Sequence, residues 1–317
     1  MPYFLGIDGG GSKTDCLLVN ESGQILSVSD GIGTSYRQYG KDEVIKTLRQ
    51  LSERCLSKAG VLPVQVSGVC VGLPAYGENA SADSDIIFAV EAFLSKVIFV
   101  NDVQVGWAGS LACQAGINVV AGTGSIAFGC DGEGNTARSG GWTEVFSDEG
   151  SAYWVAVRGM QLFTKQADGR AAKGELYRII RDAYCIQDDF KFVSVAESEL
   201  LPRRDKTAAF QKLIADAAKA GDLSVLAIYT EAAKELASLA VSVKKRLNFD
   251  SGKVAVSYSG GMFQVGEMLL NPFRHILQTE GMCAQKPLLS PVKGAVLLAV
   301  KHFAPNHFKN VTSGLTE

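Results

Sequence analysis

Short apolar runs separated by polar turns open the chain. Apolar positions at Tyr3–Ile7, Leu17–Val19 and Gln24–Val28 predict three β-strands. The first turn, Asp8–Thr14, contains three consecutive glycines, and the second, Asn20–Gly23, is polar. The pattern therefore predicts a strand meander at the start of the chain.

Helical periodicity begins after this meander. Helices are predicted over residues 41–59 and around Ile86–Leu94, and buried strands over Val66–Leu73 and Val97–Val100. Strands followed by alternating strands and helices favour a mixed sheet with helices on its faces.

The opening pattern recurs further along. Asn118–Ala121 and Ile126–Gly129 are strand-like, Gly122–Ser125 is a glycine turn between them, and Asp131–Asn135 closes the unit. A repeat this short can arise by chance. A duplicated domain would also produce it, so both explanations stay open.

The remainder is predicted to be mostly helical. Residues 151–247 carry helical periodicity, including a long apolar stripe after Ser224 that is typical of core packing. A strand over Val254–Ser257 and an apolar helix over Gly294–Phe303 follow, and the polar tail beyond Pro305 is predicted to fray.

Composition excludes several classes of protein. The 317 residues suffice for two domains, and 47% apolar with 20% charged residues is typical of a globular chain. A formal net charge of −2 without long charged runs indicates no nucleic-acid partner, and the short apolar runs indicate no membrane span. Seven scattered cysteines and three histidines argue against structural zinc and suit a cytoplasmic location, and no secretory signal is expected before Tyr3.

The first glycine turn has two interpretations of equal weight. Gly9–Gly11 can present bare backbone N–H groups to an anion while Asp8 holds a metal ion, or the segment is a plain hairpin turn. It is not a Walker A loop, because Ser12 separates Gly11 from Lys13 and a strand follows where a helix is required.

Five signals stand in a fixed order along the chain. They are Asp8–Thr14, Asp102 after a buried strand, Gly122–Ser125, the run Gly140–Trp142 with Ser147–Trp154, and Ser259–Gly261. This order resembles the sugar kinase, Hsp70 and actin superfamily. Within it, the chain is most similar to the BadF/BadG/BcrA/BcrD group and to the N-acetylglucosamine kinases there.

The resemblance implies an α/β fold of two ribonuclease-H-like domains, mixed sheets flanked by helices, around an ATP and sugar cleft. The expected domains are residues 1–117, with the final helix 291–304 packing back on them, and residues 118–290, which include a helical insertion. It also implies that Asp8 holds Mg²⁺, through water. The implied ATP-binding residues are Gly9, Gly10, Gly11, Ser12, Lys13, Gly122, Thr123, Gly124, Ser259, Gly260 and Gly261.

Asp102 matches the family's general base. Taken alone, a strand-end aspartate before a helix is more often an N-cap, but its place among the other signals reverses that ranking. The implied sugar-binding residues are Ser35, Tyr36, Arg37, Gly141, Trp142 and Asp148. The alternatives are that Trp142 belongs to the core and that Asp148 and Glu149 cap the next helix.

The expected function is an ATP-dependent kinase that phosphorylates the 6-hydroxyl of N-acetylglucosamine or N-acetylmuramic acid, as a cytoplasmic homodimer. The alternatives are an ATPase activator of a 2-hydroxyacyl-CoA dehydratase, a glucosamine or other hexose kinase, and a non-catalytic nucleotide-dependent binding protein. The segment Gly33–Arg37 lacks the asparagine that the family uses to contact sugar, and Thr143 and Ser147 replace usual glycines. Arg37 either pairs with an acidic lactyl group of the sugar or is an exposed surface residue.

Overall fold

The chain forms two compact units. The computed structural model describes residues 2–250 and 252–317. The first unit is built from the residues up to 115 together with residues 286–317, and the second from residues 116–285. Each unit has its own sheet and its own apolar core.

The first unit contains the predicted strand meander. Strands β1 to β3 pair antiparallel, while β4 and β5 continue the sheet parallel to β1, giving the order β3–β2–β1–β4–β5. Parallel strands end at the same edge of a sheet, so the ends of β1 and β5 share one edge. The strands are β1 Tyr3–Gly9, β2 Lys13–Asn20, β3 Ile25–Ile32, β4 Val66–Leu73 and β5 Val97–Asn101.

The helices of this unit cover its sheet. The predicted apolar face at Val44, Leu48, Leu51 and Cys55 is fully buried, and burying one such leucine stabilises a fold by roughly 1.5–3 kcal/mol. The helices are α1 Tyr36–Tyr39, α2 Lys41–Lys58, α3 Ala80–Glu91, α4 Asp102–Leu111, α11 Pro291–Phe303 and α12 Phe308–Thr316, the last two following the second unit.

The second unit repeats the same topology. Strands β6 to β8 pair antiparallel and β9 and β10 continue parallel to β6, so the order β8–β7–β6–β9–β10 matches that of the first sheet. The duplicated α/β fold expected from the recurring pattern is therefore confirmed. The strands are β6 Gly116–Ala121, β7 Ser125–Cys130, β8 Thr136–Gly140, β9 Val254–Ser259 and β10 Met282–Gln285.

A helical insertion separates β8 from β9. Its longest helix buries the predicted apolar stripe, including Tyr229 and Leu236, in the core. Across residues 2–250 and 252–317, no helix is both long enough and apolar enough to cross a membrane. The helices of this unit are α5 Ala152–Ala167, α6 Glu175–Ala183, α7 Lys191–Val195, α8 Arg204–Lys219, α9 Leu223–Lys244 and, after β9, α10 Glu267–Thr279.

Helix α11 fixes the position of α4 in the first unit. A Cβ atom on Gly294 would lie 2.2 Å from the backbone nitrogen of Gly109 and 2.3 Å from the carbonyl oxygen of Val105. Only a glycine permits this approach of the two helices. The start of α4, where Asp102 lies, is thereby set by a segment near the end of the chain.

The prediction that the tail frays is wrong. Residues 308–316 form α12, which buries Val311 and Leu315, and the Lys293 ammonium donates to the carbonyl oxygen of Leu315 at 2.6 Å. Two apolar residues four positions apart on one helical face are enough to hold this otherwise polar segment on the first unit.

Candidate active site

The first glycine turn is tightly packed. The Gly10 amide donates to the Lys13 carbonyl at 2.8 Å, and the Thr34 amide donates to the Gly10 carbonyl at 3.0 Å. A Cβ on Gly9 would lie 2.1 Å from the Thr34 hydroxyl oxygen and 2.6 Å from the carbonyl oxygen of Gly72. Gly9 to Gly11 are all described residues, and none has a φ in the left-handed region. Glycine at position 9 is therefore required for space and not for an unusual backbone angle.

This packing brings Ser35–Arg37 beside the turn, because Thr34 is bonded to Gly10. Ser35 is buried and precedes α1, and Tyr36 is half-buried against the core. The Arg37 guanidinium is exposed and donates to the Glu78 carboxylate at 2.8 Å. Arg37 is thus a surface arginine that already has an acidic partner.

Asp8 carries the largest electrostatic perturbation at this edge of the sheet. It lies at the end of β1, directly opposite Asp15 on β2. Burial, and after it the nearby charges of Asp102 and Asp15, together raise the pKa of Asp8 to about 7, against a smaller opposing effect of Lys13. The Lys13 ammonium is exposed and pairs with Asp15 at 2.8 Å. The turn therefore lies beside an excess of negative charge.

Asp102 is not the cap of its helix. The side chain of Asn101 accepts from the Val103 amide at 3.2 Å and donates to the Tyr76 carbonyl at 3.0 Å, so Asn101 occupies the N-cap position. Asp102 is the first residue of α4, where the helix dipole favours a negative charge. The capping interpretation of Asp102 is therefore wrong.

The carboxylates here fit a magnesium ion that also binds phosphate. Mg²⁺ is usually held by one or two carboxylates, water and substrate phosphates, and not by an all-protein cage. Within the described ranges 2–250 and 252–317, no group of three or more His, Cys, Asp or Glu residues could hold a metal ion by itself. A cation beside Asp8 would offset the repulsion between Asp8, Asp102 and Asp15 that raises the pKa of Asp8.

The second glycine turn is held by the start of α5. The amides of Ala152 and Tyr153 donate to the carbonyls of Gly122 and Thr123 at 2.9 and 3.3 Å. A Cβ on Gly122 would meet no atom within 4 Å. The surroundings of Gly122 are therefore open, in contrast to those of Gly9.

The open space beside Gly122 is a cavity of about 690 Å³ within the second unit. Cavities of this size hold ligands as large as a nucleotide. Gly122, Thr123 and Gly261 line it, whereas Gly124, Ser259 and Gly260 do not. The other lining residues are Ala152, Asp205, Ala208, Ala209, Gln211, Lys212, Ala215, Asp216, Lys219, Met262, Gln264 and Val265.

Gly260 shapes this cavity without lining it. Its φ is 102°, and a Cβ there would lie 2.3 Å from the carbonyl oxygen of Ala121, so glycine lets the ends of β6 and β9 meet. Ser259 ends β9 and lies next to Asn118, whose amide donates to its hydroxyl at 3.5 Å.

Sequence analysis missed the wall formed by α8. The sequence pattern indicates only helical periodicity in this region, and the face of α8 that the periodicity marks contains the buried residues Phe210 and Ala217. The side that lines the cavity is made of alanines and charged residues, among them Lys212 and Lys219. Helical periodicity identifies a buried face but does not distinguish a cavity wall from solvent-exposed surface.

Trp142 is not a core residue. Its side chain is 74% exposed, so the interpretation that it belongs to the core is wrong. Gly140 and Gly141 precede it with φ of 77° and 69°, values that favour glycine. The two glycines turn the chain so that the indole ring projects away from the core.

Asp148 is buried and also does not cap the next helix. The N-cap of α5 is Ser151, whose hydroxyl accepts from the Trp154 amide at 3.1 Å. The Asp148 carboxylate accepts from the Ser125 amide at 3.3 Å and from the Arg204 guanidinium at 2.7 Å. Burial raises its pKa, and both contacts oppose that rise.

Two proteins of named function are similar in sequence to most of this chain. The chain is 30% identical over 279 residues to an N-acetylmuramic acid/N-acetylglucosamine kinase of Clostridium acetobutylicum, covering 87% of this chain and 90% of that protein. It is 28% identical over 271 residues to an N-acetyl-D-glucosamine kinase of Dictyostelium discoideum, covering 81% and 84%.

A solved structure from Chromobacterium violaceum, provisionally assigned as an N-acetylglucosamine kinase, superposes with a TM-score of 0.72. The match covers 94% of this chain and 99% of that one at 22% identity, which supports the fold. The family model of the BadF/BadG/BcrA/BcrD ATPases matches residues 5–299. The chain therefore belongs to the BadF/BadG/BcrA/BcrD ATPase family.

Proposed function

We propose that this protein is an ATP-dependent kinase that phosphorylates the 6-hydroxyl of an N-acetylated amino sugar, N-acetylglucosamine or N-acetylmuramic acid. The observation that carries the proposal is that Asp8 at the end of β1 and Asp102 directly after β5 lie at the same edge of the sheet, where the charge of Asp102 acts on Asp8. Two carboxylates beside a glycine turn supply a base and a cation ligand, the two groups that phosphoryl transfer requires. The names of the two relatives support the class of substrate.

In the proposed reaction, Asp102 accepts the proton of the sugar 6-hydroxyl as that oxygen forms a bond to the γ-phosphorus of ATP. The bond between the γ-phosphorus and the β,γ-bridging oxygen breaks, and ADP leaves. A positioned base of this kind contributes about 10²–10⁴-fold to a rate. Its place at the start of α4, set by Asn101 and by the contact with α11, keeps the carboxylate in a defined position.

Asp8 would hold Mg²⁺ through water in this proposal, and the ion would neutralise charge on the ATP phosphates. The backbone amides of the Gly9–Lys13 turn would donate to the β- and γ-phosphates. Lys13 is exposed and would exchange its contact with Asp15 for one with phosphate.

The cavity of the second unit is the proposed adenosine site. Gly122, Thr123 and Gly261 border it, and Lys212 supplies a positive charge, while Lys219 pairs with Asp216 at 3.1 Å. The absence of a side chain at Gly122 leaves room for a phosphate or a ribose beside the turn.

Trp142 and Asp148 are the proposed sugar contacts of the second unit. An exposed indole offers a flat apolar face to a pyranose ring or an acetyl group. Arg37 is a weaker candidate for an acidic substituent, because Glu78 already occupies its guanidinium.

The test is a panel of amino sugars and hexoses with ATP and Mg²⁺, followed by ADP release. We expect turnover with N-acetylglucosamine or N-acetylmuramic acid, and a product that carries phosphate on the 6-hydroxyl by NMR. Turnover with glucosamine or another hexose alone would contradict the proposed substrate. A brown, oxygen-sensitive preparation that hydrolyses ATP without sugar would instead favour the dehydratase activator.

A further inference from the structure

Arg204 is the first residue of α8 and joins that helix to the segment after Trp142. Its guanidinium lies 2.7 Å from the Asp148 carboxylate and 3.2 Å from the Glu144 carboxylate. Asp148 is 3% exposed, whereas the side chain of Arg204 remains 43% exposed, so a buried carboxylate is paired with a guanidinium that reaches it from the surface. Charged hydrogen bonds of this kind are short and directional, and a planar guanidinium can hold two carboxylates at once.

The backbone at Asp148 is strained. Its φ is 59°, a value that residues other than glycine adopt only where the surrounding contacts impose it. The side-chain contacts are those to Arg204 and to the Ser125 amide. Without the guanidinium, Asp148 would lose one of its two side-chain contacts.

The pair also lies against the second glycine turn. A Cβ on Gly124 would lie 2.6 Å from a carboxylate oxygen of Asp148 and 2.8 Å from a guanidinium nitrogen of Arg204. The residues that follow Arg204 on α8, beginning with Asp205, line the cavity. The guanidinium of Arg204 thus contacts the segment that contains the proposed sugar-binding residues. Arg204 is also the first residue of the helix that lines the proposed adenosine site.

We propose that Arg204 is a positioning residue, which holds Asp148 ionised and in place to accept hydroxyl hydrogen bonds from the sugar. The proposal rests on the proposed sugar kinase activity. Both carboxylate oxygens of Asp148 already accept one hydrogen bond, and each retains a second lone pair for a sugar hydroxyl. Glu144 holds the other side of the guanidinium and keeps it from turning away.

The charge on Asp148 depends on this contact. The groups that face it are the Arg204 guanidinium and the Ser125 amide, which favour the ionised form, and Glu144, which opposes it together with burial. Replacing Arg204 by methionine keeps the length of the side chain and removes the positive charge. The pKa of Asp148 then rises further, so the loss of its ionised form is greatest at low pH.

The first experiment measures amide hydrogen exchange and needs no substrate. In Arg204→Met we expect peptides covering residues 141–150 to exchange about tenfold faster than in the wild type, because the equilibrium constant for local opening of the loop rises about tenfold. Arg203→Met is the matched control, because Arg203 pairs with Asp205 at 2.9 Å on the exposed surface. Unchanged exchange over residues 141–150 in Arg204→Met would overturn the proposal.

The second experiment measures the sugar KM from pH 6 to pH 8. We expect the KM of Arg204→Met to exceed the wild-type value about tenfold and the excess to grow as the pH falls, while the control keeps the wild-type profile. Arg204→Lys should restore the profile, because a lysine supplies the charge. A loss that is equal at all pH values and is not rescued by lysine would mean a purely structural role and would overturn the proposal.

The two experiments separate the two proposals. Faster exchange in Arg204→Met with no phosphorylation of any amino sugar by the wild type would contradict the proposed function and leave the contact of Arg204 with the loop intact. Turnover of sugar by the wild type with unchanged exchange and an unchanged KM profile in Arg204→Met would contradict the role of Arg204 alone.

Discussion

The two glycine turns close equivalent hairpins of a duplicated sheet, but they differ in their surroundings. At Gly9, an added Cβ would lie within 2.1 Å of Thr34, whereas at Gly122 nothing lies within 4 Å. Asp8 precedes the first turn, and Ala121 stands at the corresponding place before the second. The first turn therefore carries a carboxylate in a packed environment, and the second borders an open cavity.

This difference shows how a duplicated fold can divide one reaction between its copies. The first unit holds the clustered carboxylates Asp8, Asp15 and Asp102 and has little free space around its turn. The second has open space beside its turn, with the inserted helix α8 as a cavity wall. In the proposed kinase, the first unit performs the acid–base and cation chemistry, and the second holds the adenosine.

The strongest test of this division is Asp102→Asn. We expect kcat to fall by about 10²–10⁴-fold, because the amide cannot accept the hydroxyl proton. The affinity for ATP should stay near the wild-type value by isothermal titration. Asp42→Asn is the control, since Asp42 also lies in the first turn of a helix but is exposed. Near-normal turnover in Asp102→Asn would refute the assignment of the base.

The matched pair Gly9→Ala and Gly122→Ala tests the contrast between the turns directly. We expect Gly9→Ala to lower the free energy of unfolding by about 2–3 kcal/mol, because the new methyl group has no space. Gly122→Ala should leave the free energy of unfolding within about 0.5 kcal/mol of the wild-type value and raise the KM for ATP about tenfold. Urea titrations and initial rates check both. Equal losses of stability in the two variants would contradict the contrast.

The smallest expected effect concerns the pH dependence of stability at Asp8. Folding raises the pKa of the Asp8 carboxyl group from 3.8 to about 7. The stability that this group contributes is fully present below pH 3.8 and is lost as the pH rises through about 7. Relative to Asp8→Asn, the wild type without metal should lose about 1–2 kcal/mol between pH 5 and pH 8, a range that allows for partial exposure. Urea unfolding in EDTA measures the difference. A difference that does not vary with pH would contradict it.

The strands and glycine turns could be predicted because their signals are local. Short apolar runs and glycine clusters predicted both hairpins, and the recurrence of the pattern anticipated the duplicated topology. Asp102 could be located at the end of a strand, but its neighbour Asn101 proved to be the cap. Two adjacent residues with short polar side chains cannot be told apart by propensity alone.

The features that sequence analysis missed depend on contacts between distant residues. Arg204 and Asp148 are 56 positions apart, and nothing in either segment indicates the other. The polar tail was assigned to fray because Val311 and Leu315 alone make a weak pattern, and only their burial against the first unit reveals the helix.

The return of the chain to the first unit has a consequence for biosynthesis. The ribosome completes residues 116–285, the whole of the second unit, before it makes α11, on which β1 and α4 pack. The core of the first unit lacks that helix, with its fully buried residues Val296 and Leu297, until the last part of the chain emerges. The half of the protein that is made first is therefore expected to be the last to fold, and a premature stop after residue 285 would leave the candidate base without the helix that positions it.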